Sequence, residues 1–329
     1  MVAAHLAIDK IAAQSYLAAV KIAAPGDSYL DTRMVESVDN DAGAGPRTAL
    51  IGVAAEVALH VRVWDPRLAN RAPTGRAFVL LHGIAATGDS WREVAGRLSG
   101  EGRAVYALDF RGHGLSDRPD NGYDIPTFAA DVAAVVSGLG LVEPVLVGHS
   151  LGADVILSAM AADPHTGGGV ALVEGGLVDA RDQFSTLAEC LQKVALAPVA
   201  GMPLARLQGY LRATHTDWSE ARLESTISAF DIHDDGTVSW RLTGSRFEEL
   251  VRALWAARAA SLWAYLQGPL AVVAADTGDV AWTAAKRAAE AEIRAAKPGV
   301  RVEWVKADHD VHSACPGLIA RLLLEAFPR

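Results

Sequence analysis

One stretch constrains this chain more than any other: Val145-Leu146-Val147-Gly148-His149-Ser150-Leu151-Gly152. Its aliphatic run reads as a buried strand. Gly-x-Ser-x-Gly comes next, and Ala153–Met160 follows with helical spacing. Strand, tight turn and helix are the context in which such a serine becomes a nucleophile elbow. A serine hydroxyl attacks only where a base can reach it and its Oγ stands clear of the backbone. The sharp turn puts Ser150 in a strained conformation, and Gly148 and Gly152 remove the side chains that would collide there. The helix points its first amides at the oxyanion that develops.

The chain is 329 residues long, 51% hydrophobic and 21% charged, enough for a large core and a sizeable insertion. Its net charge of −9 and the absence of a Lys/Arg run argue against nucleic acid as a partner. Cys190 and Cys315 are too few for a disulfide framework and lack metal-ligand spacing. No uncharged apolar run of about 18 residues is present, so no membrane span is expected.

Residues 1–24 are Ala-rich and read as a helix ended by Pro25-Gly26, expected to pack on its own protein. Asp9-Lys10 interrupts the apolar stretch, which argues against an export signal and for a cytoplasmic location. Residues 25–46 read as a polar linker. Thr48–Val53 and Val57–Trp64 read as a strand pair, Phe78–Leu81 as a buried strand ending in His82-Gly83, and Asp89–Leu98 as a helix capped by Ser90 or Asp89. The strand Val105–Leu108 precedes Asp109-Phe110-Arg111-Gly112-His113-Gly114, and a helix follows over Thr127–Leu139. After the elbow, Val170–Val173 is a strand ending at Glu174-Gly175-Gly176. This alternation implies an α/β fold with a mostly parallel central sheet, helices on both faces and ligands at the strands' carboxyl ends.

Over 177–267 the alternation stops. The pattern there is mostly helical with no clear strand, and is rich in large apolar residues such as Leu207, Trp218, Phe230 and Trp240. It reads as an inserted helical cap, most of whose apolar groups form its own core. The α/β rhythm resumes with Leu270–Ala274, Ala281–Ala296, Val300–Val305, His309 and a last helix from Pro316 to Phe327. Three regions result: an extension and linker over 1–45, a core over 46–176 and 268–329, and the cap over 177–267.

Four features in this order resemble the α/β-hydrolase superfamily over roughly residues 47–329. They are Leu80-Leu81-His82-Gly83, the Asp109–Gly114 segment, the elbow, and Asp308-His309-Asp310-Val311-His312 ahead of Pro316. The resemblance implies that Ser150 is the nucleophile and His309 its base. Asp308 stands where the family usually has Gly. For the acid, the family's usual place lies after Leu270–Ala274, where Asp276 and Asp279 are candidates. A second place, used by haloalkane dehalogenases and certain lactonases of the superfamily, lies after the strand following the nucleophile, where Glu174 stands. Glu174 is preferred, then Asp276, then Asp279. The resemblance places the oxyanion hole at the amides of Leu151 and Ile84.

His309 and His312 also invite a metal reading, but no third ligand is in register. His82, His113 and His149 are expected to shape the pocket or bond backbone. The expected activity is cofactor-free hydrolysis of a small apolar carboxylic ester or lactone through an acyl-enzyme. Thioesterase, carbon–carbon hydrolase and peroxidase-like activities stay open, as does a ligand receptor on the same fold. Self-association of the chain is left open too.

Overall fold

The computed structural model describes residues 33–35, 46–242 and 244–329. The helix expected over 1–24 lies outside them. Nine strands form the main sheet: β1 (Arg33–Val35), β2 (Arg47–Ala54), β3 (Val57–Trp64), β4 (Phe78–Leu81), β5 (Val105–Leu108), β6 (Val145–His149), β7 (Gly169–Val173), β11 (Leu270–Asp276) and β12 (Arg301–Lys306). Their order is β1-β2-β3-β5-β4-β6-β7-β11-β12. β1, β2, β3 and β5 pair antiparallel, and every pair from β5 to β12 is parallel. β1 falls inside the stretch read as a linker, and its three residues extend the sheet edge along β2.

Strand side chains alternate between the two faces. Val79, Leu81 and Leu146 join one core with α2 (Ile125–Gly138) and α3 (Leu151–Ala162). Phe78, Leu80, Val145 and Val147 join the other with α1 (Arg92–Gly100) and α10 (Pro316–Ala326). With both faces covered, the central strands are apolar throughout rather than alternating. The turn into α1 is capped by Thr87, whose hydroxyl accepts from the Asp89 amide, not by Ser90 or Asp89 as expected.

Between β7 and β11 run α4 (Ala180–Gln183), α5 (Leu187–Lys193), α6 (Leu204–Thr214), α7 (Glu220–Ile227) and α8 (Gly244–Ala256). Contrary to the strandless reading, three short strands also pair here: β8 (Met202–Pro203), β9 (Phe230–Ile232) and β10 (Thr237–Trp240). They are only two to four residues long, too short for a period to show in the sequence. Leu207, Leu223, Phe230 and Val238 form a small core of this segment's own, joined by Trp218 and Trp240. Bonds from Thr87 to Ser228, Arg92 to Glu224 and Arg118 to Asp231 tie the segment to the sheet's loops. Among the described residues no helix is long and apolar enough to cross a membrane.

A buried carboxylate organises the loops at the sheet's carboxyl edge. Asp109 accepts from His60 Nδ1 (2.9 Å), Arg62 Nη1 (2.8 Å), Gly88 N (2.7 Å) and Leu115 N (2.9 Å). A Cβ at Gly114 (φ +49°) would collide with this carboxylate. Burial opposes the charge, but Arg62 and His60 outweigh it and hold the Asp109 pKa well below the usual carboxylate range. Asp109→Ala is expected to cost about 3–5 kcal/mol, because it leaves Arg62 without this partner in a nearly dry site. Chemical denaturation checks this. The pairing contributes fully above the unfolded carboxyl pKa near 3.8 and is lost as pH falls through the depressed folded value. The parent should therefore lose stability below about pH 4 more steeply than Asp109→Asn.

Candidate active site

Ser150 sits between β6 and α3 with φ 50° and ψ −117°, a region L-residues rarely adopt. Its surroundings explain the three glycines nearby. A Cβ on Gly148 would overlap Gly152, one on Gly152 would lie 2.6 Å from the Leu81 carbonyl oxygen, and one on Gly175 would lie 2.5 Å from that of Ser150. The Ser150 amide donates to Val173 O at 3.1 Å, which binds the turn to the end of β7.

Glu174 follows β7 and also has positive φ, at 48°. Its carboxylate is buried and faces three partners. Oε2 accepts from the Ala275 amide at 2.6 Å, and Oε1 accepts from Lys286 Nζ at 2.7 Å. His309 Nδ1 lies 3.7 Å from the same Oε1, an ion-pair separation longer than a hydrogen bond. Burial raises the Glu174 pKa, but attraction to His309 and Lys286 and the Ala275 amide bring it below the ordinary value. The other two acid candidates serve their own turns. Asp276 accepts from Gly278 N at 3.1 Å, and Asp279 caps α9 (Val280–Ala296) by accepting from Trp282 N at 2.9 Å. Both side chains are exposed.

His309 lies in the loop after β12, with its ring 52% exposed. Even so, its contacts carry its titration. Burial of its inner edge lowers its pKa, and the carboxylates of Glu174 and Asp310 overcome this and leave it above 6.5. Asp308, where glycine was usual, turns away: its carboxylate accepts from Arg222 Nη2 of α7 at 2.8 Å, and that guanidinium lies over Trp218.

Behind His309 stands a set of aromatic rings. His149 Nε2 donates to the His309 carbonyl at 2.9 Å, and its centroid is 4.9 Å from that of His309. His312 stacks on His149 at 4.3 Å, and Trp91 on His312 at 4.3 Å. Burial lowers the His149 pKa to about 4 and holds His312 well below 6.5. His149, Asp310 and His312 bring ligand atoms within 4.8 Å of one another. The rings of His149 and His312 are tilted 38° to each other. His309 is not in that cluster, so the sequence pairing of His309 with His312 is not the arrangement seen.

The two residues expected to supply backbone donors sit in the turn after β4 (Ile84) and at the start of α3 (Leu151). Leu151 is the first residue of α3, where helical amides lack an intrahelical acceptor. In the turn after β4, Ala86 N donates to Gly83 O and Ala85 N to His113 Nε2, both at 3.3 Å, so neither occupies Ile84 N. A Cβ on Gly83 would lie 2.9 Å from His149 Nδ1 and 3.3 Å from Ser150 Cβ, so the turn closes over the serine. His82 and His113 bond backbone as expected: each Nδ1 donates to a carbonyl, and burial holds them near 3 and 4. A cleft of about 240 Å³ over Leu196–Ala200, Trp240 and Phe247 lies wholly between β7 and β11 and holds none of these residues.

Lys286 is the partner that the sequence did not assign, while His149 bonds backbone as expected. Lys286 had a signal, since it shares the buried stripe of α9 with Ala289 and Ile293, where a lysine is out of place. An NMR titration should show His309 protonating with a pKa above 6.5 while His149 and His312 stay neutral down to pH 5; protonation of His149 above pH 6 would contradict the ring stack.

The sequence model of the family described as "alpha/beta hydrolase fold" matches residues 76–245. A putative non-heme chloroperoxidase of Synechocystis sp. is 44% identical over 78 residues, 24% of this chain and 28% of that protein. A 2-(acetamidomethylene)succinate hydrolase of Mesorhizobium japonicum is 37% identical over 91 residues, 28% of this chain and 32% of that protein. The chain thus matches about a third of the length of these curated relatives. Among solved structures, E-2-(acetamidomethylene)succinate hydrolase superposes with a TM-score of 0.69 at 20% identity, over 92% of this chain and 100% of that one. The fold, the order of its elements and the family match agree: the chain belongs to the α/β-hydrolase superfamily.

Proposed function

We propose that the protein is a serine hydrolase that cleaves a carboxylic ester or lactone of an apolar substrate through an acyl-enzyme. The observation that supports this most is that Ser150, Glu174 and His309 follow the carboxyl ends of β6, β7 and β12, with His309 Nδ1 facing Glu174 Oε1. Ser150 Oγ attacks the carbonyl carbon and His309 Nε2 takes its proton. The oxyanion forms against the amides of Leu151 and Ile84; losing one such donor typically costs about 2.7–4 kcal/mol of barrier. His309 returns the proton to the leaving group, and water then releases the acyl group by the same route. Glu174 holds the tautomer with a proton on Nδ1 and stabilises the imidazolium without taking the proton. The raised His309 pKa suits a base working near neutral pH.

The segment 177–267 acts in this reading as a cap over the site. Arg222 bonding Asp308, beside the base, supports that role. A cytoplasmic setting belongs to the same reading, and both cysteines stand free. The names of relatives favour a second reading within hydrolysis. The names of the 2-(acetamidomethylene)succinate hydrolase and of an N-formylmaleamate deformylase of Pseudomonas putida point beyond esters to other acyl bonds, which Ser150 would attack in the same way.

A panel of aryl esters, thioesters, lactones and N-acyl compounds separates the bond classes. On the best substrate, Ser150→Ala should lower kcat by several orders of magnitude with the fold intact. Glu174→Gln should lower it by about 10³–10⁴-fold, while Asp276→Asn and Asp279→Asn stay within a few-fold of the parent. Turnover by Ser150→Ala at the parent rate would end the acyl-enzyme reading; collapse in an aspartate variant alone would move the acid to β11.

A further inference from the structure

A serine triad needs one carboxylate to balance one imidazolium, yet here two cationic side chains meet at one oxygen. Lys286 Nζ lies 2.7 Å from Glu174 Oε1 and His309 Nδ1 lies 3.7 Å from it. Lys286 and Glu174 side chains are only 3% and 1% exposed. The ammonium also donates to the Ala275 carbonyl, while Glu174 Oε2 accepts from the Ala275 amide. The indoles of Trp282 and Trp304 flank it, with centroids 5.5 and 5.8 Å from Nζ. Water does not reach this ammonium, so Glu174 is the charge that compensates it.

We propose that Lys286 is a positioning residue: its buried ammonium shares Glu174 Oε1 with His309, fixes the carboxylate toward the base and weakens that carboxylate's hold on the imidazolium. This rests on the reading of Glu174 and His309 as triad members. The reasoning is electrostatic. A lone buried carboxylate would pull the imidazolium strongly and keep the base protonated to higher pH. A fixed cation on the same oxygen offsets part of that pull, leaving His309 free to accept the serine proton at a lower pH. The other charged or titratable groups facing His309 are Asp310, which favours the imidazolium, and the neutral rings of His149 and His312. Asp308 is engaged by Arg222.

The test uses Lys286→Met and Lys286→Arg in the full chain, with a p-nitrophenyl ester as probe. Without the cation, the acid limb of kcat/KM should move to higher pH, so that the ratio of rates at pH 6 and pH 8.5 falls by up to about tenfold. Lys286→Arg keeps the charge and should keep the parent limb. NMR titration of His309, assigned by its loss in His309→Gln, should show the same upward movement in Lys286→Met without any substrate. Where Lys286→Met does not fold, Lys286→Gln keeps a donor to Glu174 and removes only the charge, and the same movement is expected. An unmoved limb and an unmoved His309 titration, with activity lowered equally at every pH, would make Lys286 a structural staple and overturn the proposal. That outcome is distinct from failure of the triad reading itself, which shows as turnover by Ser150→Ala.

Discussion

The turn at Ser150 exists because backbone closes in on it from three sides. Leu81 at the end of β4 packs against Gly152, Gly148 against Gly152, and Gly175 at the end of β7 against Ser150. Such approaches are closed to any residue with a Cβ, so the strained serine is held by neighbours rather than by its own preference. Parallel pairing of β4, β6 and β7 brings these ends to one edge of the sheet. Glu174 then leaves β7 with its own positive φ and delivers its carboxylate beside the turn. Ser150 and Glu174 thus follow neighbouring strands, and their separation is set by sheet register rather than by loop length.

Buried charge is the second constraint. Asp109 gathers β3, the turn after β4 and the loop after β5 around one carboxylate. Glu174 does the same for β7, β11 and α9. In each case an ionised group is kept dry by a cation and backbone amides, an arrangement that fixes geometry strongly because loss of any partner leaves a charge exposed to a low dielectric. One network reaches the turn after β4 through Gly88, and the other faces His309 through Glu174.

Much of this was legible in the sequence, for physical reasons that differ by element. Buried parallel strands are short apolar runs, so β4, β5, β6 and β7 stood out. The elbow glycines stood out because the turn tolerates nothing else. The three strands between β7 and β11 did not, since two to four residues carry no period. Thr87 was missed as a cap because the helix begins with a single turn of tighter winding. The acid stayed open among Glu174, Asp276 and Asp279 because strand-end carboxylates look alike until register and burial separate them. Two of them prove to serve their own turns and are exposed. Lys286 was overlooked although a lone lysine in the apolar stripe of α9 signals a buried anion opposite it. His149 bonds backbone as the sequence suggests, but which carbonyl it reaches was not legible, since the bond joins residues 160 apart.

The account turns on a covalent bond to Ser150, and mass spectrometry reads it directly. The protein is mixed with an excess of p-nitrophenyl acetate, quenched in acid within the first turnovers and digested. A single acetyl adduct is expected on the peptide carrying Ser150, decaying once the ester is exhausted and absent from Ser150→Ala. Ester turnover with Ser150 never acylated, or with the acetyl group found stably on another residue, would contradict it.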